Sequence, residues 1–253
     1  MSPDINGRPS GGLIEPILRV HGATKRFGGL TAVDRVSFEV RPAEIVALIG
    51  PNGAGKTTLF SLISGFQPLD EGSVSFQAKD VTNFAPARMA HLGLARSFQI
   101  VQVFADLTVH EAVTAAALMR HSMGAALRKA DETLALVGLS EKGANVTPEL
   151  SLQDRKLLEV AKCLATEPKL ILLDEVMAGL TMSEAEAVLK VVRRLRSEGM
   201  TFVLVEHVMP IVMSIADRIV VMNFGQKIAD GSPAEIIEDR FVRDAYFGED
   251  LHA

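Results

Sequence analysis

A single cysteine, Cys163, is the only thiol in a chain of 253 residues. That excludes an intrachain disulfide framework and leaves no partner for a CxxC metal site. Cys163 falls in an amphipathic stretch and reads as core packing. No apolar run approaches the roughly 20 residues a membrane-spanning helix needs. The longest mild case, residues 112–119, is broken by Thr114. The first ten residues lack both a basic n-region and an apolar h-region, so no signal peptide is expected there. A long basic block is missing too, and the net charge is −5, so composition gives no support for nucleic-acid binding. No internal repeat is visible, and low complexity is confined to residues 1–16, whose Pro, Gly and Ser content suggests a disordered tail. The expectation is a cytosolic protein whose membrane role, if any, comes from a partner.

What is present is ample material for a core, 48% hydrophobic residues. The length suits one large domain, or a core with a subdomain inserted. One stretch organises the rest: Gly50-Pro51-Asn52-Gly53-Ala54-Gly55-Lys56-Thr57-Thr58 fits G-x-x-x-x-G-K-[ST] at every fixed position. An apolar run, 44–49, precedes it as a buried strand would, and 59–63 follow with helical spacing. Strand, glycine-rich turn and helix form the context of a phosphate-binding loop. The glycines let backbone N–H groups curl around a polyphosphate at a helix N-terminus. Lys56 brings a full charge to the outer phosphates, and the Thr57 hydroxyl can ligate Mg²⁺. These residues imply a nucleoside triphosphate as ligand.

Taken in order, 17–20 and 36–40 read as strands, with Phe27 between them placed either to stack on a purine or to fill the core. Residues 72–81 read as a further strand pair, 87–92 as a helix and 94–98 as a short strand. Residues 108–166 are helical material rich in Ala and Leu, with Gly138 and Gly143 as stops. Ser151 is an N-cap with Asp154 at the third position. Residues 169–173 form an apolar strand tipped by Asp174 and Glu175, the pair expected beside a phosphate loop. Asp174 can hold Mg²⁺ through water, and Glu175 can polarise an attacking water. Ser183-Glu184-Ala185-Glu186 reads as a capping box opening a helix that runs to Gly199. Residues 201–205 are again a buried strand, ending in Glu206-His207. Residues 219–222 make one more, and Ser232-Pro233 starts a short last helix.

In this order the marks resemble the ATP-binding subunit of an ABC transporter over residues 18–250. The resemblance makes Phe27 the adenine-stacking aromatic, 50–58 the Walker A loop and Gln99 the Q-loop glutamine. It makes 150–154 the signature region, 170–175 Walker B, 178–181 the D-loop and His207 the switch histidine. It implies an α/β fold, a P-loop NTPase (ABC ATPase) core with an antiparallel β subdomain. The ABC ATPase domain would span 17–253, with an α-helical subdomain, roughly 86–166, inserted in its RecA-like core. The nucleotide-binding set is then Phe27, Asn52, Gly53, Ala54, Gly55, Lys56, Thr57 and Thr58. The catalytic set is Glu175, His207, Lys56 and Gln99, with Thr57, Gln99 and Asp174 around Mg²⁺ and ATP as substrate.

Within the family, Ala95-Arg96-Ser97-Phe98-Gln99, Leu173-Asp174-Glu175-Val176-Met177-Ala178-Gly179-Leu180 and the ending 245–250 are similar to the branched-chain (hydrophobic) amino-acid importer group. That implies two membrane permeases, a second ATPase subunit and a periplasmic or extracellular binding protein acting indirectly. The chain would sit peripherally on the cytoplasmic face of the membrane. Val103 and Phe104 suit a docking surface for the permeases, or a plug of the helical subdomain.

Two departures stand out. The usual Leu-Ser-Gly-Gly-Gln reads Leu150-Ser151-Leu152-Gln153-Asp154, and Thr181 stands where many relatives carry Asp. Ser151, Leu152, Gln153 and Asp154 would face the partner's nucleotide, and an acid there is unfavourable beside phosphate. The expectation is a heterodimer with unequal sites. Three competing readings differ in testable features. A DNA-repair ATPase would carry long coiled coils or zinc insertions, and a GTPase would carry Asn-Lys-x-Asp; neither is found. Other ABC cargoes, such as amides, urea, aromatic acids or lipids, stay open.

Overall fold

Residues 15–97 and 106–242 are described by the computed structural model. The first stretch folds as β1 (Leu18–Phe27), β2 (Leu30–Val40), β3 (Ile45–Ile49), α1 (Lys56–Ile63), β4 (Glu71–Phe76), β5 (Lys79–Asp80), α2 (Pro86–Leu92) and β6 (Leu94–Arg96). The second gives α3 (Val109–Ala117), α4 (Met123–Val137), two short 3-10 turns, α5 (Leu152–Ala165), β7 (Leu170–Asp174) and α6 (Met182–Ser197). It closes with β8 (Thr201–Val205), α7 (Met209–Ile215), β9 (Arg218–Asn223), β10 (Gln226–Gly231) and α8 (Pro233–Glu238).

Every residue of β3, β7 and β8 is buried. Continuous apolar runs of this kind suit strands covered on both faces, which is where parallel sheets lie. They form the middle of a sheet ordered β10-β9-β3-β8-β7-β6, parallel throughout except for the antiparallel edge pair β9–β10. Alternation sorts their side chains. Ile45, Ala47 and Ile49 join the core under the helices, whereas Val46 and Leu48 join the core beneath α1 and the second sheet. That second sheet is antiparallel, in the order β2-β1-β4-β5. The α/β class expected from the sequence is the one observed. Because β3, β7 and β8 run parallel, their carboxyl ends share one edge, the edge where such folds place ligands.

Several local readings change. β1 extends through Lys25 to Phe27 and forms a hairpin with β2, since register shifts let irregular residues keep pairing. Helix α6 starts two residues before the expected box. Thr181 is its N-cap, its hydroxyl accepting from the Glu184 N–H at 3.3 Å while Glu184 Oε2 accepts from the Thr181 N–H at 2.8 Å. The pattern Ser183-x-x-Glu186 loses because the earlier pair satisfies the same orphan donors one half-turn sooner. Within the 86–166 window, α3, α4 and α5 pack on one another, but β6 pairs with β7 and extends the main sheet. Helix α7 and strand β10 were not anticipated. Cys163 is buried in the helix-side core, where burial pushes its thiol up to about 12.

Candidate functional site

Two of the phosphate-loop glycines are there because nothing larger fits. A Cβ on Gly50 would lie 2.2 Å from the Met222 carbonyl, and one on Gly55 would lie 2.3 Å from the Ala32 carbonyl, with Gly55 at φ 98°. Gly55 is also the N-cap of α1 and supplies no side-chain cap. The first N–H groups of α1 are therefore left for a ligand, at the positive end of the helix dipole. Lys56 folds back over the loop, its ammonium donating to Gly50 O at 2.7 Å and Pro51 O at 3.0 Å. Burial lowers its pKa, with Glu175 and then Asp174 opposing, so the cation sits in the field of both carboxylates.

Phe27, Asn52, Gly53, Ala54, Gly55, Lys56, Thr57, Thr58 and Glu175 line one cleft of about 440 Å³. Sequence reasoning had placed all nine at a nucleotide, and the fold brings them together. It missed Leu30, Phe224 and Gly225, which line the same cleft. Phe27 is 45% exposed, which removes it from the core. A larger cleft of about 580 Å³ lies between α2, β6 and α5, and its lining includes none of the phosphate-loop residues.

Asp174, the last residue of β7, is buried. Its Oδ2 accepts from the Arg96 guanidinium at 2.9 Å, and its N–H donates to Ser97 Oγ at 3.0 Å. Its Oδ1 is buried and has no hydrogen-bond partner among the described residues. Arg96 also donates to Ser61 Oγ and Ser64 Oγ, each at 3.1 Å. Edge strand β6 thus anchors the acid at the end of β7. The only sequence signal for this was a charged residue at the tip of a short strand-like run.

Glu175 follows in the left-handed region, at φ 48°. His207 is exposed just past β8 and does not line the cleft; Glu206, before it, is buried. Gln99, Val103, Phe104 and residues 245–250 lie outside the described residues.

The signature region is built differently from the expectation. Ser151 Oγ accepts from the Asp154 N–H at 3.1 Å, capping α5. Asp154 Oδ2 accepts from Ser151 Oγ at 2.6 Å and from the Lys142 ammonium at 2.5 Å. Burial opposes its ionisation, but Lys142 and Ser151 outweigh that and hold the carboxyl below its ordinary range. The carboxylate is therefore ion-paired within its own chain, which lessens its repulsion toward a phosphate. Leu152 remains 39% exposed where the usual motif has glycine.

A parallel sheet with a glycine-rich loop at its carboxyl edge, a lysine over that loop and two acids two strands away define a phosphate-loop nucleotide-binding ATPase core. The comparisons narrow that class. The ABC transporter profile matches residues 33–178. A profile described as branched-chain amino acid ATP-binding cassette transporter matches 226–252. The chain is 37% identical to LivG of Salmonella typhimurium, a high-affinity branched-chain amino acid transport ATP-binding protein, over 93% of this chain and 99% of that one. It is 36% identical to BraF of Pseudomonas aeruginosa, described in the same words, over 92% and 98%. A nucleotide-free ATP-binding cassette from an ABC transporter superposes with a TM-score of 0.86 at 34% identity, covering 92% of this chain and 100% of the other. The ADP conformation of such a cassette gives 0.85 at 34% identity, over 92% and 99%. The chain belongs to the ABC transporter ATP-binding family and is an ATPase of that family.

Proposed function

We propose that the chain hydrolyses ATP to energise an importer of branched-chain or other hydrophobic amino acids. The match of residues 226–252 to the branched-chain cassette profile, beyond the general ATPase match, carries the cargo assignment. The cleft that joins the phosphate loop to Glu175 carries the chemistry.

In this reading the adenine stacks on Phe27 and the phosphates lie along Asn52, Gly53, Ala54, Gly55, Lys56, Thr57 and Thr58. Lys56 exchanges its two loop carbonyls for the outer phosphates. Water attacks the terminal phosphorus, the bond to the bridging oxygen breaks, ADP leaves, and the water's proton passes to Glu175. Positioning and electrostatics supply most of the acceleration in phosphoryl transfer. His207, just past the strand between β3 and β7, senses the terminal phosphate, and Gln99 shares in the catalysis.

The donor set fits Mg²⁺. Asp174 Oδ1 is a buried acceptor with no partner among the described residues, and Thr57 offers a hydroxyl on the first turn of α1. Thr57, Gln99 and, through water, Asp174 would hold the ion, and it would neutralise charge on the outer phosphates.

Among the described residues no helix is long and apolar enough to cross a membrane. The transport role implies membrane permeases, two in the plan of the importer group this chain resembles, with this chain peripheral on the cytoplasmic face and a binding protein acting through them. A second ATPase subunit completes the pair. Bulk at Leu152 and Gln153, rather than charge at Asp154, now supports a heterodimer with unequal sites. The test is reconstitution of the complex with its binding protein in liposomes. ATP hydrolysis stimulated by leucine, isoleucine or valine, with uptake of the same labelled amino acid, is expected. Stimulation by amides, urea or aromatic acids alone would overturn the cargo, and no hydrolysis would overturn the whole reading.

A further inference from the structure

Lys156, on α5, is 5% exposed, and its ammonium donates to the main-chain oxygen of Glu175 at 3.2 Å. A buried ammonium is unfavourable unless it is well satisfied. Burial lowers its pKa, opposed by Glu206, then Glu159, then Glu175. Buried charge clusters can often be replaced by apolar residues without loss of stability. One retained at this spot calls for a local reason.

The reason lies in the turn it holds. Glu175 occupies φ 48°, a conformation disfavoured for a residue with a side chain. Its N–H donates to Val205 O at 3.0 Å, so β8 fixes one side of the residue. Its carbonyl accepts from Lys156 and, at 3.1 Å, from the Ala178 N–H. Two residues on, the Met177 N–H donates to Glu206 Oε1 at 3.0 Å, and Glu206 is itself 1% exposed. A buried ammonium from α5 and a buried carboxyl just past β8, whose ionisation burial opposes, therefore clasp the strained turn from both sides. Helix α5 also touches the far end of that turn: Leu152 Cδ2 lies 3.2 Å from where a Cβ on Gly179 would be.

We propose that Lys156 is a positioning residue for ATP hydrolysis: by holding the Glu175 carbonyl it keeps the left-handed turn that aims the Glu175 carboxylate, and it ties that turn to α5. The proposal rests on the reading of Glu175 as the group that activates water. It gives this chain's signature helix a grip on its own catalytic turn, through the lysine five residues past its N-cap.

The experiment uses the full-length chain co-purified with its membrane partners. Turnover and KM for MgATP, the affinity for a fluorescent ATP analogue and the melting temperature are measured for Lys156→Met, Glu206→Gln, their combination and Glu175→Gln. Lys156→Met should lower kcat about tenfold or more while the ATP affinity stays within about twofold. The combined variant removes both buried ionisable groups that face each other's field, so it should recover most of the lost melting temperature but not the lost kcat. Recovery of kcat together with stability would make the lysine purely structural and overturn the proposal, as would an unchanged kcat in Lys156→Met. Full turnover in Glu175→Gln would instead overturn the role of Glu175, and the proposal with it. Loss there beside normal turnover in Lys156→Met would defeat the proposal alone.

Discussion

Removing the Arg96 guanidinium should strand the acid at the end of β7. Arg96 and Asp174 are both almost wholly buried, with side-chain exposures of 8% and 3%, and pair at 2.9 Å. Breaking such a pair from one side costs about 3–5 kcal/mol, because an uncompensated charge stays behind in a poorly solvated place. Methionine is the substitution of choice, since it keeps most of the stem. Its sulfur can also sit by the Phe60 and Phe66 rings, whose centroids lie 5.8 and 5.6 Å from the guanidinium carbon. For a chain of this size, 1 kcal/mol corresponds to about 2–4 °C. Arg96→Met should therefore lower the melting temperature by about 6–20 °C without nucleotide. Arg96→Met/Asp174→Asn removes the stranded charge and should regain at least half of that loss. Thermal unfolding followed by circular dichroism decides the matter. A loss below about 1 kcal/mol in the single variant, or a double variant no more stable than the single, would refute the idea that this ion pair positions Asp174.

Gly55→Ala sets a methyl against the Ala32 carbonyl in a left-handed backbone, so it should abolish ATP binding in a filter or fluorescence assay and lower stability. Phe27→Ala should weaken ATP several-fold, about 1–2 kcal/mol, yet leave inorganic tripolyphosphate unaffected when both are titrated calorimetrically. Burial pushes the Glu159 carboxyl above its ordinary range, with Lys162 opposing. Between the unfolded pKa, about 4.3, and the higher folded value, the folded state binds more protons, so stability falls as pH rises through that window. Glu159→Gln should flatten this part of the profile in urea unfolding at a series of pH values, and an unchanged slope would contradict the assignment.

How much of this was legible beforehand follows from how local each signal is. The phosphate loop was readable because its requirements sit within nine consecutive residues, whose spacing alone brings backbone N–H groups to a helix N-terminus. Strands β3, β7 and β8 were readable because an unbroken apolar run bounded by turns has few other uses. The Ser151 cap was readable for the same reason, since its donor lies three residues away. The tertiary structure alone decided the partners of the charged groups. Arg96 meets Asp174 across 78 positions, because β6 pairs with β7 at the sheet edge in a register no pattern states. Asp154 was read as an acid facing phosphate, yet Lys142, twelve residues upstream, reaches it first. Lys156 could not be told from any other helical lysine until α5 was laid against the turn after β7. Backbone preference and burial are written along the chain, but an ion pair is a fact about two surfaces, and it exists only once folding has chosen which surfaces meet.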